Sequence, residues 1–476
     1  MPLLHPAVRY YNSFSLFHKV LLQNDKFYVI ICIMQKKPLK VAILGFSREG
    51  QSILKFLKKS KQFKKAEITV LDKNPELKVP RGLRSILGPD YLRHLDQFKF
   101  VFRSPGVPFM APEIQRAIRH GVTVSSATQL FFDEIRAAKR RPILIGVTGT
   151  KGKGTTSTLI YECLRAGKVK AILAGNMGKP MLDSLELARK AKAVVLEMSS
   201  FQLQDLKCSP DVSVLLNITP DHLDAHQSLV EYYNAKATIA NHQDRNGQVF
   251  YFPDNVPVGE IVRQSLGKKI LVDPDQCTLF KQADLKIPGR HNFGNAAMAA
   301  MVARLLGIAD KTIIGAVTKF KGLPFRLQLT RVAELGGKAQ VKFYNDSVGT
   351  NPETAAAAVK SFTSPTVLLA GGKDKRLDYG ALRNALQRSA VFAVVLFGEN
   401  KDKIYNQLHG LPIQLEMRAG FEQAIAAATS LAKKKAQESS GPALVLFSPA
   451  AASFDMFKSM YDRGEQFDAC VNKLKL

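Results

Sequence analysis

The chain has no tryptophan, and it carries only 5 cysteines in 476 residues. Those cysteines, at positions 32, 163, 208, 277 and 470, form no CxxC pair and no even framework. A disulfide scaffold and a cysteine zinc site are thereby excluded, and a reducing compartment is the expectation. Long hydrophobic runs are also missing. The most apolar stretch near the start, FYVIICIM at 27–34, falls well short of the roughly 18 to 20 residues a membrane-spanning helix needs, so stable membrane insertion is not expected. Acidic residues are scarce: 40 Asp and Glu stand against 68 Lys and Arg, a net charge of +28. Such an excess concentrates anions near the surface, whether nucleotides, phosphates, acidic lipid or nucleic acid. No basic motif is interleaved with aromatics and no nucleic-acid module is present, so nucleic acid is not an expected partner. No repeat of 20–50 residues argues for a solenoid. The 46% hydrophobic and 23% charged composition excludes a disordered polymer.

Residues 1–36 read as an extension. They hold scattered bases and aromatics but no small-residue cleavage site, so a secretory signal is not expected. Met34 opens MQKKPLKVAILG, and two readings of the segment before it stand: translation starts at Met34, or the segment is a short membrane-surface anchor, the former being the expectation. A cytoplasmic monomer is the expectation.

What is present is alternation. From Lys40 onward short apolar runs alternate with helical patterns, the signature of βαβ units and parallel sheets. VAILG, ITVLD and FVFRS form a first series, and ILIGVTG, AVVLEMS and VSVLLNIT follow the basic linker AAKRRP. VKFYNDS, TVLLAGG, VFAVVLFG and ALVLFSP follow GLPFR. The near-continuous apolar strands are those buried on both faces. The reading is α/β with three domains: a Rossmann-like one at 37–138, a central P-loop ATPase-like one at 139–322 and a second Rossmann-like one at 323–476. Lys-rich runs at 55–65 and 433–435 are expected on helices, their stems covering apolar edges. Gly149, Glu197, Thr219, Asp346, Gly371 and Ser448 each close an apolar run, the edge where open α/β sheets bind ligands.

Between ILIGV and the helical TTSTLIYECLRAG lies TGTKGKG, 148–154. Its glycines let backbone N–H groups crowd phosphate oxygens, the following helix offers its positive end, and Lys153 adds a point charge. The spacing departs from the general Walker loop, since Val147 and Gly154 stand where that pattern has Gly and Ser or Thr. The hydroxyl for a magnesium ion must then come from Thr155 or Thr156. GFSREG, 45–50, lacks the middle glycine of the dinucleotide fingerprint, which disfavours a dehydrogenase.

Eight motifs occur in order: GTKGKGTT, LEMSSFQLQ, NITPDHLDAH, the later Lys236, GRHNFGNAA, NDSVGTNP, AGGKDK and SPAAASFDMFK. In wording and order they resemble the Mur ligases, most closely the branch that adds D-glutamate to UDP-N-acetylmuramoyl-L-alanine, over nearly everything from Lys40 to Phe467. The resemblance implies a ligase of peptidoglycan synthesis that transfers the γ-phosphoryl group of ATP to a carboxylate, so that an amine can attack the acyl phosphate, releasing ADP and phosphate. It implies ATP contacts from Gly149, Thr150, Lys151, Gly152, Lys153, Gly154, Thr155 and Thr156, an adenine site at Asn292 and Asn295, Arg326 on phosphates and Asp346 on ribose. It implies Lys153, Glu197, His222 and Lys236 as catalytic residues, with Thr155, Glu197, His222 and a carbamylated Lys236 around magnesium. It implies glutamate contacts from Thr350, Lys375 and Ser453. It implies UDP-substrate contacts from Gly45, Ser47, Asp72, Ser104, Pro105, Gly106, Asn176, Ser199 and Gln202. Read without the resemblance, Glu197 is a buried strand carboxylate, TPDH is a helix start with Pro in its first turn, Lys236 is a helical lysine, and Asn-rich turns satisfy their own backbone.

Four positions depart from that pattern: Gly154, Phe325, Val348 and Met460. The GKG wording resembles folylpolyglutamate synthases, but about 100 residues of α/β domain before the loop point away from them. Three rival readings stand beside a D-glutamate ligase: a Mur-type ligase with another amino-acid acceptor, a folylpolyglutamate-synthase-like ligase, and a degenerate nucleotide-binding scaffold.

Overall fold

The computed structural model describes residues 38–176, 180–221 and 225–475. The extension at 1–36 lies outside the described residues, as does His222. Three sheets follow one another along the chain. The first joins β1 (Lys40–Leu44), β2 (Glu67–Asp72), β3 (Arg84–Leu87), β4 (Phe100–Arg103) and β5 (Thr123–Ser126), all parallel, in the order β3-β2-β1-β4-β5. The second holds β6 (Ile143–Thr148), β7 (Ala171–Gly175), β8 (Ala193–Glu197), β9 (Val212–Leu215), β10 (Gln248–Tyr251) and β11 (Lys268–Leu271), again parallel, as β11-β10-β9-β6-β8-β7. The third runs β12-β13-β17-β14-β15-β16, from β12 (Gln328–Glu334), β13 (Gln340–Asn345), β14 (Thr366–Gly371), β15 (Val391–Phe397), β16 (Gln414–Met417) and β17 (Pro442–Phe447). Only the β12–β13 pair in it is antiparallel.

The central strands are apolar throughout because both faces are covered. Val194 and Leu196 of β8 face one cluster while Val195 faces another. One of these clusters is continuous across the first two sheets: Ile43, Ile53 and Phe102 share it with Met181, Leu203 and Leu206. The first two units are therefore welded along a common core, which sets the carboxyl edge of β1 and β4 against the segment following β8.

Every strand read from the apolar runs is present. Missing from that reading were β3, β5, β7, β10, β11, β12 and β16, short or edge strands; in β3, β11 and β16 exposed polar residues break the apolar signal, and β7 is a five-residue AILAG with none. Two helical expectations change. The Lys-rich run from 55 leaves its helix early, since Arg48–Lys59 ends at Ser60. Pro220 is not in a helical first turn: the helix on that segment is Leu229–Asn241, whose cap Ser228 accepts a bond from the Glu231 N–H at 3.1 Å. Residues 433–435 do lie in the helix Phe421–Ser439, with the Lys435 ammonium over the Phe392 ring at 5.7 Å.

Candidate active site

β6 delivers the chain at Thr148 into a loop that ends where the helix Lys153–Ala166 begins. Gly152 has φ 87°, and a Cβ there would stand 2.6 Å from the Asn295 Oδ1, so this turn accepts only glycine. The Lys153 ammonium folds back and donates to the carbonyls of Gly149 at 3.0 Å and Thr150 at 2.9 Å. Lys151 points outward to Asp221 at 3.2 Å. Thr150 is fixed from three sides: its hydroxyl donates to the Thr219 carbonyl, accepts from the Thr219 N–H and meets the Tyr232 hydroxyl at 2.8 Å. Thr156 is buried and donates to Asn295, which leaves Thr155 as the partly open hydroxyl of this turn. Gly154 sits in the first helical turn with no side chain of its own.

Glu197 ends β8 and is 4% exposed. Its Oε1 accepts from the Asn176 amide at 3.3 Å, while its Oε2 is buried with no hydrogen-bond partner among the described residues. A buried, half-satisfied carboxylate is costly unless a cation or donor completes it. Lys236, 2% exposed on the helix Leu229–Asn241, donates to the same Gly149 carbonyl at 2.9 Å and lies over the Tyr232 ring at 4.9 Å. Burial, reinforced by the neighbouring Lys153 charge, lowers its pKa well below that of an ordinary lysine. Two lysines thus converge on one carbonyl beside an unsatisfied carboxylate. Among the described residues no group of three His, Cys, Asp or Glu side chains forms a metal cage. The open oxygen of Glu197 is a donor that fits magnesium, which takes one or two carboxylates plus phosphate oxygens and water.

The third sheet faces this loop through Arg326. That residue is flanked by two left-handed residues, Phe325 at φ 59° and Leu327 at φ 47°. Gln328 Oε1 accepts from the Phe325 N–H, the Phe325 carbonyl accepts from Val348 N, and Asp346 Oδ1 accepts from Leu327 N. The exposed guanidinium bears electrostatically on both Lys153 and Asp346. The other oxygen of Asp346 accepts from the Ser448 hydroxyl at 2.7 Å. Its pKa is raised to about 7 by burial, opposed by that bond and by Arg326. The ribose contact implied by the resemblance is thus a separate task from the one seen, which is holding the Arg326 turn. Asn292 and Asn295 are also occupied internally: Asn295 accepts from Thr156 and donates to Asn292 at 3.3 Å, and Asn292 donates to the Pro288 carbonyl at 2.7 Å.

In the first unit, Ser104 and Gly45 meet directly, the Ser104 hydroxyl donating to the Gly45 carbonyl at 2.6 Å. Ser47, Pro105 and Gly106 remain at least partly open beside them. Asp72 accepts from the Phe46 and Asn74 N–H groups at 2.8 and 2.9 Å, so it shapes the GFSREG turn. Ser199 and Gln202 form a capping box, and the Gln202 amide reaches across to Glu49 at 2.9 Å. In the third unit, the loops holding Thr350, Lys375 and Ser453 adjoin: Ala450 N donates to the Gly349 carbonyl, and Lys373 pairs with Ala452. Lys375 is exposed and Ser453 is buried. Arg463, unmarked in the sequence, ties those loops by donating to Ser347 and to the carbonyls of Ala451 and Ala452.

Sequence models of known families match in the same order as the sheets. The MurD-like N-terminal domain of Mur ligases matches residues 39–126, the Mur ligase middle domain 147–272, and the glutamate ligase domain 326–450. A UDP-N-acetylmuramoylalanine--D-glutamate ligase from Acetivibrio thermocellus is 34% identical over 474 residues, covering 92% of this chain and 97% of that protein. The chain belongs to the Mur ligase family. Among solved structures, a MurF ligase from Thermotoga maritima in complex with ADP shares the fold at a TM-score of 0.54 and 16% identity, over 92% of this chain and 96% of that one. A folylpolyglutamate synthase from Mycobacterium tuberculosis matches at a TM-score of 0.54 and 14% identity but covers only 72% of this chain. Among the described residues, no helix is long and apolar enough to cross a membrane.

Proposed function

We propose that this protein joins D-glutamate to UDP-N-acetylmuramoyl-L-alanine at the expense of ATP, in the cytoplasm, as a step of peptidoglycan synthesis. The observation that carries this reading is the meeting of Lys153 and Lys236 on the Gly149 carbonyl, beside the unpartnered oxygen of Glu197 and facing Arg326. The spans 37–138, 139–322 and 323–476 serve as the UDP-substrate, ATP and glutamate units.

The backbone of residues 149–154 and the Lys153 charge receive the phosphates. Glu197, Thr155 and a carbamate on Lys236 would hold magnesium, which would supply charge neutralisation to the phosphates; His222 lies outside the described residues. The lowered pKa of Lys236 supports that modification: a neutral amine attacks carbon dioxide, an N–C bond forms and a proton leaves. The alanyl carboxylate oxygen attacks the γ-phosphorus as the bond to the ADP oxygen breaks. The D-glutamate amine then attacks the acyl carbon, loses a proton and expels phosphate. Catalysis here is positioning and charge neutralisation. Gly45, Ser104, Pro105 and Gly106 would line the uridine diphosphate, and Thr350, Lys375 and Ser453 would offer hydroxyls and a cation to a dicarboxylate.

The test is phosphate release by the purified protein with ATP, magnesium and UDP-N-acetylmuramoyl-L-alanine, against D-glutamate, L-glutamate, other amino acids and no acceptor. Turnover that requires the UDP substrate and prefers D-glutamate is expected. Turnover with a different acceptor overturns the assignment of D-glutamate, and none with any acceptor supports a binding scaffold.

A second expectation concerns protons. Burial lowers the Lys153 pKa to about 8 in the nucleotide-free protein, against the pull of Glu197. Phosphate oxygens raise it again, so ADP binding near pH 8 takes up about half a proton, an uptake that fades toward about pH 6, where Lys153 is charged in both states. Calorimetry in two buffers of different ionisation enthalpy reads this directly. Proton release at pH 8 would show that Lys153 does not face the phosphates.

A further inference from the structure

The first and middle units meet through a charged side chain that no water reaches. Arg103 is the last residue of β4, and its side chain is 0% exposed. Nε donates to the Asp205 carboxylate at 2.9 Å, and that partner is 2% exposed. One terminal nitrogen donates to the carbonyls of Val107 at 2.6 Å and Pro105 at 3.4 Å, and the other to the carbonyl of Phe201 at 2.8 Å. The Phe109 ring lies 5.5 Å from the guanidinium carbon.

These contacts fall into two sets. Pro105 and Val107 belong to the SPGV turn of the first unit, whose Ser104 is bonded to Gly45. Phe201 and Asp205 belong to the segment that begins at Glu197 and continues through the short helix Ser200–Leu203. One planar fork therefore sets the backbone of the turn against the backbone that carries the carboxylate. A buried ion pair is a poor source of stability, because desolvation offsets its attraction and apolar residues of similar volume do as well. What an Arg fork adds is fixed geometry with several acceptors at once.

We propose that Arg103 is a positioning residue for the UDP substrate, fixing residues 104–107 at the register against Glu197 that places the substrate's acyl end at the phosphoryl-transfer site. The inference rests on the function proposed above and adds to it a residue outside the direct contacts.

The test compares wild type with Arg103→Met/Asp205→Leu and with Arg103→Lys. The double variant removes both charges and keeps the volume filled; the lysine keeps charge and loses the fork. Affinity for UDP-N-acetylmuramoyl-L-alanine is measured by calorimetry without ATP, alongside KM for each substrate, kcat and Tm. The double variant is expected to stay folded with a lowered Tm, because the carbonyls of Val107 and Phe201 lose their donor, and to bind the UDP substrate about 10- to 100-fold more weakly, the scale of one or two charge-assisted hydrogen bonds, with KM for ATP nearly unchanged. Arg103→Lys is expected to show the same selective loss, which keeps the test decisive if the double variant does not fold. Wild-type affinity for the UDP substrate in either folded variant, or equal losses for ATP and the UDP substrate, would overturn the inference. Failure of the wild type to bind the UDP substrate at all would instead remove the functional reading beneath it.

Discussion

Replacing Lys236 with methionine is expected to reduce phosphate release about 10²- to 10³-fold, the effect of losing one electrostatic group at a transition state, while Tm stays level or rises. The two halves of this expectation have one cause. Lys236 is almost fully buried and shares the Gly149 carbonyl with Lys153, which satisfies that oxygen alone when Lys236 is removed. Methionine fills nearly the same volume, so no large cavity follows. An amine that is no asset to folding, placed at the carboxyl edge of the middle sheet, has its use in the reaction. Phosphate release at saturating substrates and a thermal melt on the same preparation check both halves. A variant that melts much lower, or that keeps near-normal turnover, would assign Lys236 a structural role.

The second large effect belongs to Glu197. Glu197→Gln is expected to fold and to lose phosphate release by about 10²- to 10³-fold. The amide oxygen can keep the contact from Asn176, whereas the amide nitrogen takes the place of the oxygen that has no partner among the described residues. The substitution thus removes one negative charge and converts an unpartnered acceptor into a donor. If Glu197 were only a structural anion balancing Lys153, the variant would lose stability and keep activity. Titrating magnesium separates the cases further: a shifted magnesium requirement is expected with Glu197→Gln, and an unshifted one would take Glu197 off the metal.

These effects are readable from the sequence to different depths. The phosphate loop was legible because its strand, glycines, lysine and helix are neighbours in the chain, and local backbone chemistry determines such a turn. The central strands were legible because burial on both faces demands unbroken apolar runs. The edge strands β3, β11 and β16 were not, since one covered face leaves a mixed pattern that resembles a loop. Arg103 and Arg463 gave no signal, because nothing in a single arginine marks it as buried. Each acquires meaning only from carbonyls more than one element away.

By itself, the sequence determined that three α/β units follow one another, that the middle one carries a glycine- and lysine-bearing loop between strand and helix, and which residue types stand at the carboxyl ends of its strands. The tertiary structure decided which of those groups stay available. Asp72, Asn295 and Asp346 hold the backbone or neighbouring side chains, while Glu197 keeps an unpartnered oxygen and Lys236 is stripped of solvent. The physical reason is that a polar group's reactivity depends on its remaining hydrogen-bond partners and its distance from water. Both are set by through-space contacts between elements far apart in the chain, as when Asp205 meets Arg103 across 102 residues.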